Sequence, residues 1–144
     1  MPSLIDTSVW IDFTRSRSPR TLKQFIAPFI LDPDAHLADP IVFEILRHAT
    51  PAESRQLSQQ FQTLPMLTTP PTLWSDAAGL GQACRQKNIT AHSLDLLLAT
   101  VALHHGAEVV TFDEDFQKIA SVSKLQVKLL KRPTPEEFRS LTPC

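Results

Sequence analysis

The chain has almost no net charge. Its 14 Lys and Arg stand against 15 Asp and Glu, so no bulk attraction draws it to nucleic acid or anionic lipid, and any such contact has to come from a local patch. It has only two cysteines, Cys84 and Cys144, which argues against a disulfide framework and favours a reducing cytoplasm. Nowhere does it run to the roughly 18 consecutive apolar residues that a membrane helix needs. Its start, MPSLIDTSVWIDF, has no basic segment followed by an unbroken apolar stretch, so no removed leader and no membrane association are expected. Internal repeats, low-complexity stretches and dividing linkers are also missing. At 144 residues, 42% of them hydrophobic, the chain suits one domain with one substantial core.

Glycine is scarce, at 3, whereas proline is plentiful, at 12, and the prolines mark helix starts. Ser18-Pro19, Asp39-Pro40, Thr50-Pro51 and Thr134-Pro135 each set a capping residue before a proline suited to the first helical position. Thr50 with Glu53 and Thr134 with Glu137 complete the spacing of capping boxes. Helices are expected near 8–15, 19–30, 40–48, 51–62, 71–87, 93–105 and 114–120, and strands near 3–5, 36–38, 65–67, 108–111 and 125–130. The clearest helix runs from Ser93 to His105, with Leu94, Leu97, Leu98, Val101 and Ala102 at helical spacing. Alternating strands and helices predict an α/β fold with a mainly parallel sheet covered on both faces.

Most acidic residues lie in loops or at helix starts, where solvation accounts for them. Four do not: Asp6 in LIDTSVWI, Glu44 in IVFEIL, Asp95 in SLDLLLATVAL and Asp113 after EVVTF all interrupt or end apolar runs. An unpaired buried carboxylate costs several kcal/mol or takes up a proton. The flanking runs offer no cation apart from Arg47, three residues after Glu44. A shared divalent ion would offset all four charges at once. Asp6 and Asp113 end predicted strands, at the sheet edge where α/β proteins bind ligands, while Glu44 and Asp95 fall early in helices beside it. An all-oxygen set suits Mg²⁺ or Mn²⁺ better than zinc. Asp115 is an auxiliary or water-mediated ligand by this reading, and the hydroxyls of Ser8 and Thr111 are placed to aim Asp6 and Asp113.

The segments LIDTSVW, FEIL and HSLDLLLATVALHHGAEVVTFDEDF resemble the four acidic motifs of the PIN domain, in order, over residues 1 to about 130. The last stretch is most similar to VapC-type toxins of prokaryotic toxin–antitoxin pairs. The resemblance implies a three-layer α/β/α sandwich and a Mg²⁺- or Mn²⁺-dependent endoribonuclease that hydrolyses RNA phosphodiester bonds. It also implies homodimerisation and a cognate antitoxin as partner. Residues 1–132 would form the PIN-like nuclease domain, and 133–144 a short C-terminal tail of the same domain. Asp6, Asp95 and Asp113 would hold the ion, with Glu44 completing a second metal position or orienting the attacking water. Many relatives carry a glycine shortly after the Glu44 position, whereas this chain reads EILRHATP.

Other readings compete. A catalytically silent PIN-fold module binding RNA or protein would have no reason to keep buried charges, and a housekeeping RNA-processing nuclease would keep the site but change its biology. A haloacid-dehalogenase-like phosphatase expects a second Asp where Ser8 stands, and a response-regulator receiver expects a lysine that TFDEDF lacks. Arg15, Arg17, Arg20 and Lys23 are the local patch best placed to meet RNA phosphates. The five histidines read as structural or solvated, and Trp10 and Trp74 as core or interface anchors. Phe25, Phe29 and Ile30 give an apolar face open to core, dimer or antitoxin readings.

Overall fold

The computed structural model describes residues 1–134, 136 and 137. Its elements run β1 (Ser3–Ile5), α1 (Thr7–Thr14), α2 (Arg20–Ile30), β2 (Ala35–His36), α3 (Asp39–Leu46), α4 (Pro51–Phe61), α5 (Leu73–Gln86), α6 (Ser93–His105), β3 (Glu108–Thr111), α7 (Asp115–Ala120) and β4 (Gln126–Leu129). The strands form one sheet in the order β2-β1-β3-β4, parallel throughout, with Ser3 opposite both Ala35 and Glu108. From β1 the chain crosses to β2 and then returns past β1 to β3. Because crossovers between parallel strands are right-handed as a rule, these opposite directions put helices on both faces, the expected α/β/α sandwich. The point of reversal lies between β1 and β3, where such sheets open a crevice at their carboxyl ends.

The fifth expected strand does not join the sheet. Residues 65–67 make a single parallel bridge, Leu37 with Met66, framed by Leu37 N donating to Pro65 O (2.9 Å) and Leu67 N to Leu37 O (2.7 Å). Pro65 has no N–H to give, and Pro70 and Pro71 stop the ladder soon afterwards. Two proline signals also work differently from expectation. Pro19 is itself the cap of α2, without a side-chain bond, and Asp39 is the first residue of α3 rather than its cap. Both capping boxes are present. Thr50 and Glu53 bond each other's backbone at 3.3 and 3.2 Å, and Thr134 and Glu137 do so at 2.9 and 3.2 Å. Pro135, Cys144 and most of the tail helix expected after Pro133 lie outside the described residues.

The glycine missing after Glu44 is not needed. Arg47 caps α3 in the ordinary helical region, and His48 and Ala49 donate to Ile45 and Leu46, so the helix closes by tightening its last turn. At the end of α6 the opposite solution applies. Gly106 has φ +62°, the left-handed cap that a side chain would strain. α6 packs on β3 and on α3, α5 and α7, so consecutive residues Leu98, Ala99, Thr100, Val101 and Ala102 are all buried, more than a single stripe would predict. Leu4, Ile5, Val109, Val110, Phe116 and Ile119 fill the core around it. Trp10 belongs to that core, edge-on to Phe61, while Trp74 is exposed. Ile30 is buried, with Phe25 and Phe29 packed partly buried against the core. Among the described residues no helix is long and apolar enough to cross a membrane.

Candidate metal centre

Asp6 leaves β1 and caps α1, so its carboxylate sits at the carboxyl edge of the sheet. It is only 6% exposed. Its Oδ2 accepts from Ser8 Oγ and from Thr111 Oγ1, each at 2.8 Å, and from Ser8 N at 3.4 Å. Burial raises the Asp6 pKa, and these bonds act against it. Thr111, fully buried, ends β3 beside Asp6, and its Oγ1 also accepts from Asp113 N at 2.9 Å. Ser8 Oγ accepts from Phe112 N at 3.2 Å. Two hydroxyls therefore stitch the end of β1 to the end of β3 and fix where Asp6 and Asp113 project.

After Thr111 the backbone turns. Asp113 Oδ1 accepts from Asp115 N at 2.9 Å, and α7 begins. One carboxylate oxygen each from Asp95, Asp113 and Asp115 lies within 4.8 Å of the others, close enough for one cation. Asp95 reaches this trio from the first turn of α6, and Ala99 and Ala102 on the same helix are fully buried. Glu44 comes from α3, and its Oε2 accepts from Thr7 Oγ1 at 3.0 Å. Asp6, Thr7, Glu44 and Asp95 line one narrow crevice, which adjoins an open depression of about 400 Å³ bordered by Glu44, His92, Ser93, Asp95 and Asp113.

Charge accumulates here without neutralisation. Among the described residues none of Asp6, Glu44, Asp95 and Asp113 forms an ion pair; only Asp115 does, with Lys118 at 3.4 Å. Arg47 is exposed and makes no ion pair with Glu44. Burial, followed by the negative charges of Asp6 and Asp113, pushes the Asp95 pKa up to about 7, with His92 opposing and Asp115 adding to the rise. Mutual repulsion in an oxygen-only cluster is what a hard divalent cation relieves, so the residues present fit such an ion.

All five acids singled out in the sequence therefore reach one neighbourhood, with different ranks. Asp115 joins Asp95 and Asp113 in the tight trio, whereas Asp6 and Glu44 flank it. Thr7 escaped notice, although a hydroxyl directly after Asp6, where α1 starts, was a usable signal. His92 stands on the rim of the depression rather than apart from it. The basic patch does not line the crevice or the depression. Arg15 and Arg17 border a separate groove with Ile45, His48 and Leu57, and Arg20 and Lys23 lie on α2.

Fold and site together define an α/β protein with an acidic cluster at the reversal point of a parallel sheet. The chain belongs to the PIN domain family, which matches residues 3–122. Ribonuclease VapC11 of Mycobacterium tuberculosis is 32% identical over 128 residues, covering 85% of this chain and 95% of that protein. Ribonuclease VapC21 of the same species is 33% identical over 72 residues, covering 49% and 52%. The crystal structure of FitAcB from Neisseria gonorrhoeae aligns with a TM-score of 0.68 at 18% identity, covering 87% of this chain and 95% of that one. VapBC2 from Rickettsia felis, bound to a DNA fragment from its promoter, aligns with a TM-score of 0.69 at 14% identity, covering 91% and 100%. At those identities the structural likeness is one of fold.

Proposed function

We propose that this chain is the toxin ribonuclease of a toxin–antitoxin pair, an endoribonuclease that hydrolyses RNA phosphodiester bonds with the help of Mg²⁺ or Mn²⁺. The observation that carries this reading is the meeting of Asp95, Asp113 and Asp115 beside Asp6 and Glu44, without cationic partners among the described residues for four of the five. The relative named ribonuclease VapC11, similar along most of the chain, supports the substrate class. The VapBC neighbours support an antitoxin partner. A homodimer acting in the cytoplasm, with residues 1–132 as the nuclease domain and 133–144 as its tail, completes the proposal.

In this mechanism Asp95, Asp113 and Asp115 would hold the cation, and Asp6, immobilised by Ser8 and Thr111, would supply a further negative group beside them. When bound, the ion supplies Lewis acidity to water and to phosphate oxygens. Glu44, held by Thr7, orients the attacking water as a hydrogen-bond acceptor on the open side. The depression beside Asp113 gives the scissile phosphate room, and the Arg15, Arg17, Arg20 and Lys23 patch neutralises phosphates further along the strand.

The test is cleavage of a defined RNA panel with and without Mn²⁺, using Asp6→Asn and Asp95→Asn as controls. Metal-dependent cleavage should appear in the starting protein and vanish in both variants while they stay folded. Full activity in folded Asp95→Asn would remove the mechanism. A starting protein that binds Mn²⁺ but cuts no RNA would leave a silent binding module. An open reading frame for an antitoxin beside the gene separates a toxin from a housekeeping nuclease.

A further inference from the structure

Beyond the stretch that matches the family, the chain leaving β4 stays paired with the end of β3. Leu130 N donates to Thr111 O at 2.7 Å, which anchors the segment after β4 at the end of β3. Two residues later Arg132 does two things at once. Its Nε donates to Asp12 Oδ2 at 2.8 Å, and its guanidinium lies over the ring of Phe112, 4.3 Å from the centroid. Asp12 belongs to α1, the helix that Asp6 caps, and its side chain is mostly shielded, at 13% exposure. Phe112 stands between Thr111, which bonds Asp6, and Asp113. The two partners of Arg132 thus belong to two of the four segments that carry the acidic cluster, the others being α3 with Glu44 and α6 with Asp95.

We infer that Arg132 is a positioning residue: by tying Asp12 on α1 to the ring of Phe112 it fixes the spacing between the Asp6 segment and the loop of Asp113 and Asp115, and so sets the affinity for a divalent cation. This rests on the divalent-ion reading of the carboxylates. The guanidinium is suited to the task because it is planar, stacking on a ring while its edge donates to a carboxylate; a lysine ammonium can keep the ion pair but not the flat stack.

The experiment is a Mn²⁺ titration of the full chain, followed by the electron paramagnetic resonance of the free ion, with melting temperatures recorded in chelator. Arg132→Ala should weaken Mn²⁺ binding about three- to tenfold, below the 10- to 100-fold common for groups bonded directly to ligands. The half-saturating Mn²⁺ for RNA cleavage should rise in step, while KM for RNA at saturating Mn²⁺ stays unchanged. Arg132→Lys should recover part of the affinity. In a Phe112→Leu background the further change to Ala at 132 should cost less than it does alone, because the two act as one unit. Coincident Mn²⁺ titrations for Arg132→Ala and the starting protein overturn the clasp, even if the melting temperature falls, and so does full additivity with Phe112→Leu. A starting protein that takes up no Mn²⁺ at all overturns the divalent-ion reading itself, an outcome distinct from both.

Discussion

Thr111 has no charge, yet the geometry of the acidic edge depends on it. Its hydroxyl donates to Asp6 and accepts from Asp113 N in a fully buried position. Thr111→Val keeps the shape and removes both bonds, leaving a buried carboxylate and a backbone N–H short of a partner, so denaturant unfolding should show a loss of about 1–3 kcal/mol. Asp95 makes a different prediction. Folded, it holds its proton up to about pH 7, whereas the unfolded chain gives it up near the ordinary value of 3.8. Between those values the folded state binds more protons, so stability falls as pH rises through that window and stays low above it. Melting temperatures in chelator should therefore drop from pH 5 to pH 8, and Asp95→Asn should flatten the slope and raise the value at pH 8. A slope unchanged by the substitution would show that the repulsion is not centred on Asp95. These acids were legible in the sequence because a charge inside an apolar run is anomalous whatever the fold. Asp12, Phe112 and Arg132 were not, since nothing about an acid on an exposed-looking helix or an arginine after the last strand says what it will face.

At the scale of elements, local chemistry decides the ends and tertiary contacts decide the middles. The Thr50 box was readable because it is completed within four residues, and Thr50→Ala should cost about 0.5–2 kcal/mol of stability without touching RNA cleavage. Gly106→Ala should cost about 1 kcal/mol by forcing a side chain into the left-handed cap of α6, measurable as a lowered urea midpoint. The burial around α6 was only partly foreseen. Apolar spacing indicates one face, whereas a helix packed on β3, α3, α5 and α7 also buries the small residues between. The segment 65–67 failed as a strand for a related reason. Its pattern is strand-like, but joining a sheet also takes donors along the edge, and Pro65 within it and Pro70 and Pro71 just beyond it have none.

For the whole molecule, a charge near zero leaves RNA attraction to local features. Reversing Arg15 and Arg17 should weaken RNA binding and flatten its salt dependence, with the Mn²⁺ titration unchanged, because these residues border a groove apart from the carboxylates. Binding of a divalent ion to the folded state alone should raise the melting temperature. At a concentration 100 times Kd the gain is about 2.7 kcal/mol, and the gain should disappear in Asp95→Asn. The sequence order of strands and helices was enough to expect a parallel sheet with a ligand edge. Which strands became neighbours was settled by pairing that no local pattern records.

That pairing has a consequence for synthesis. The bond from Thr111 to Asp6 spans 105 residues, and β3 must slot in beside β1 before the two halves of the acidic edge meet. A ribosome that has made the first hundred residues has made Asp6, Glu44 and Asp95, but not the loop that completes the trio. On the proposed reading the nascent chain cuts no RNA until that loop has emerged and docked, and a message truncated before Asp113 yields no nuclease.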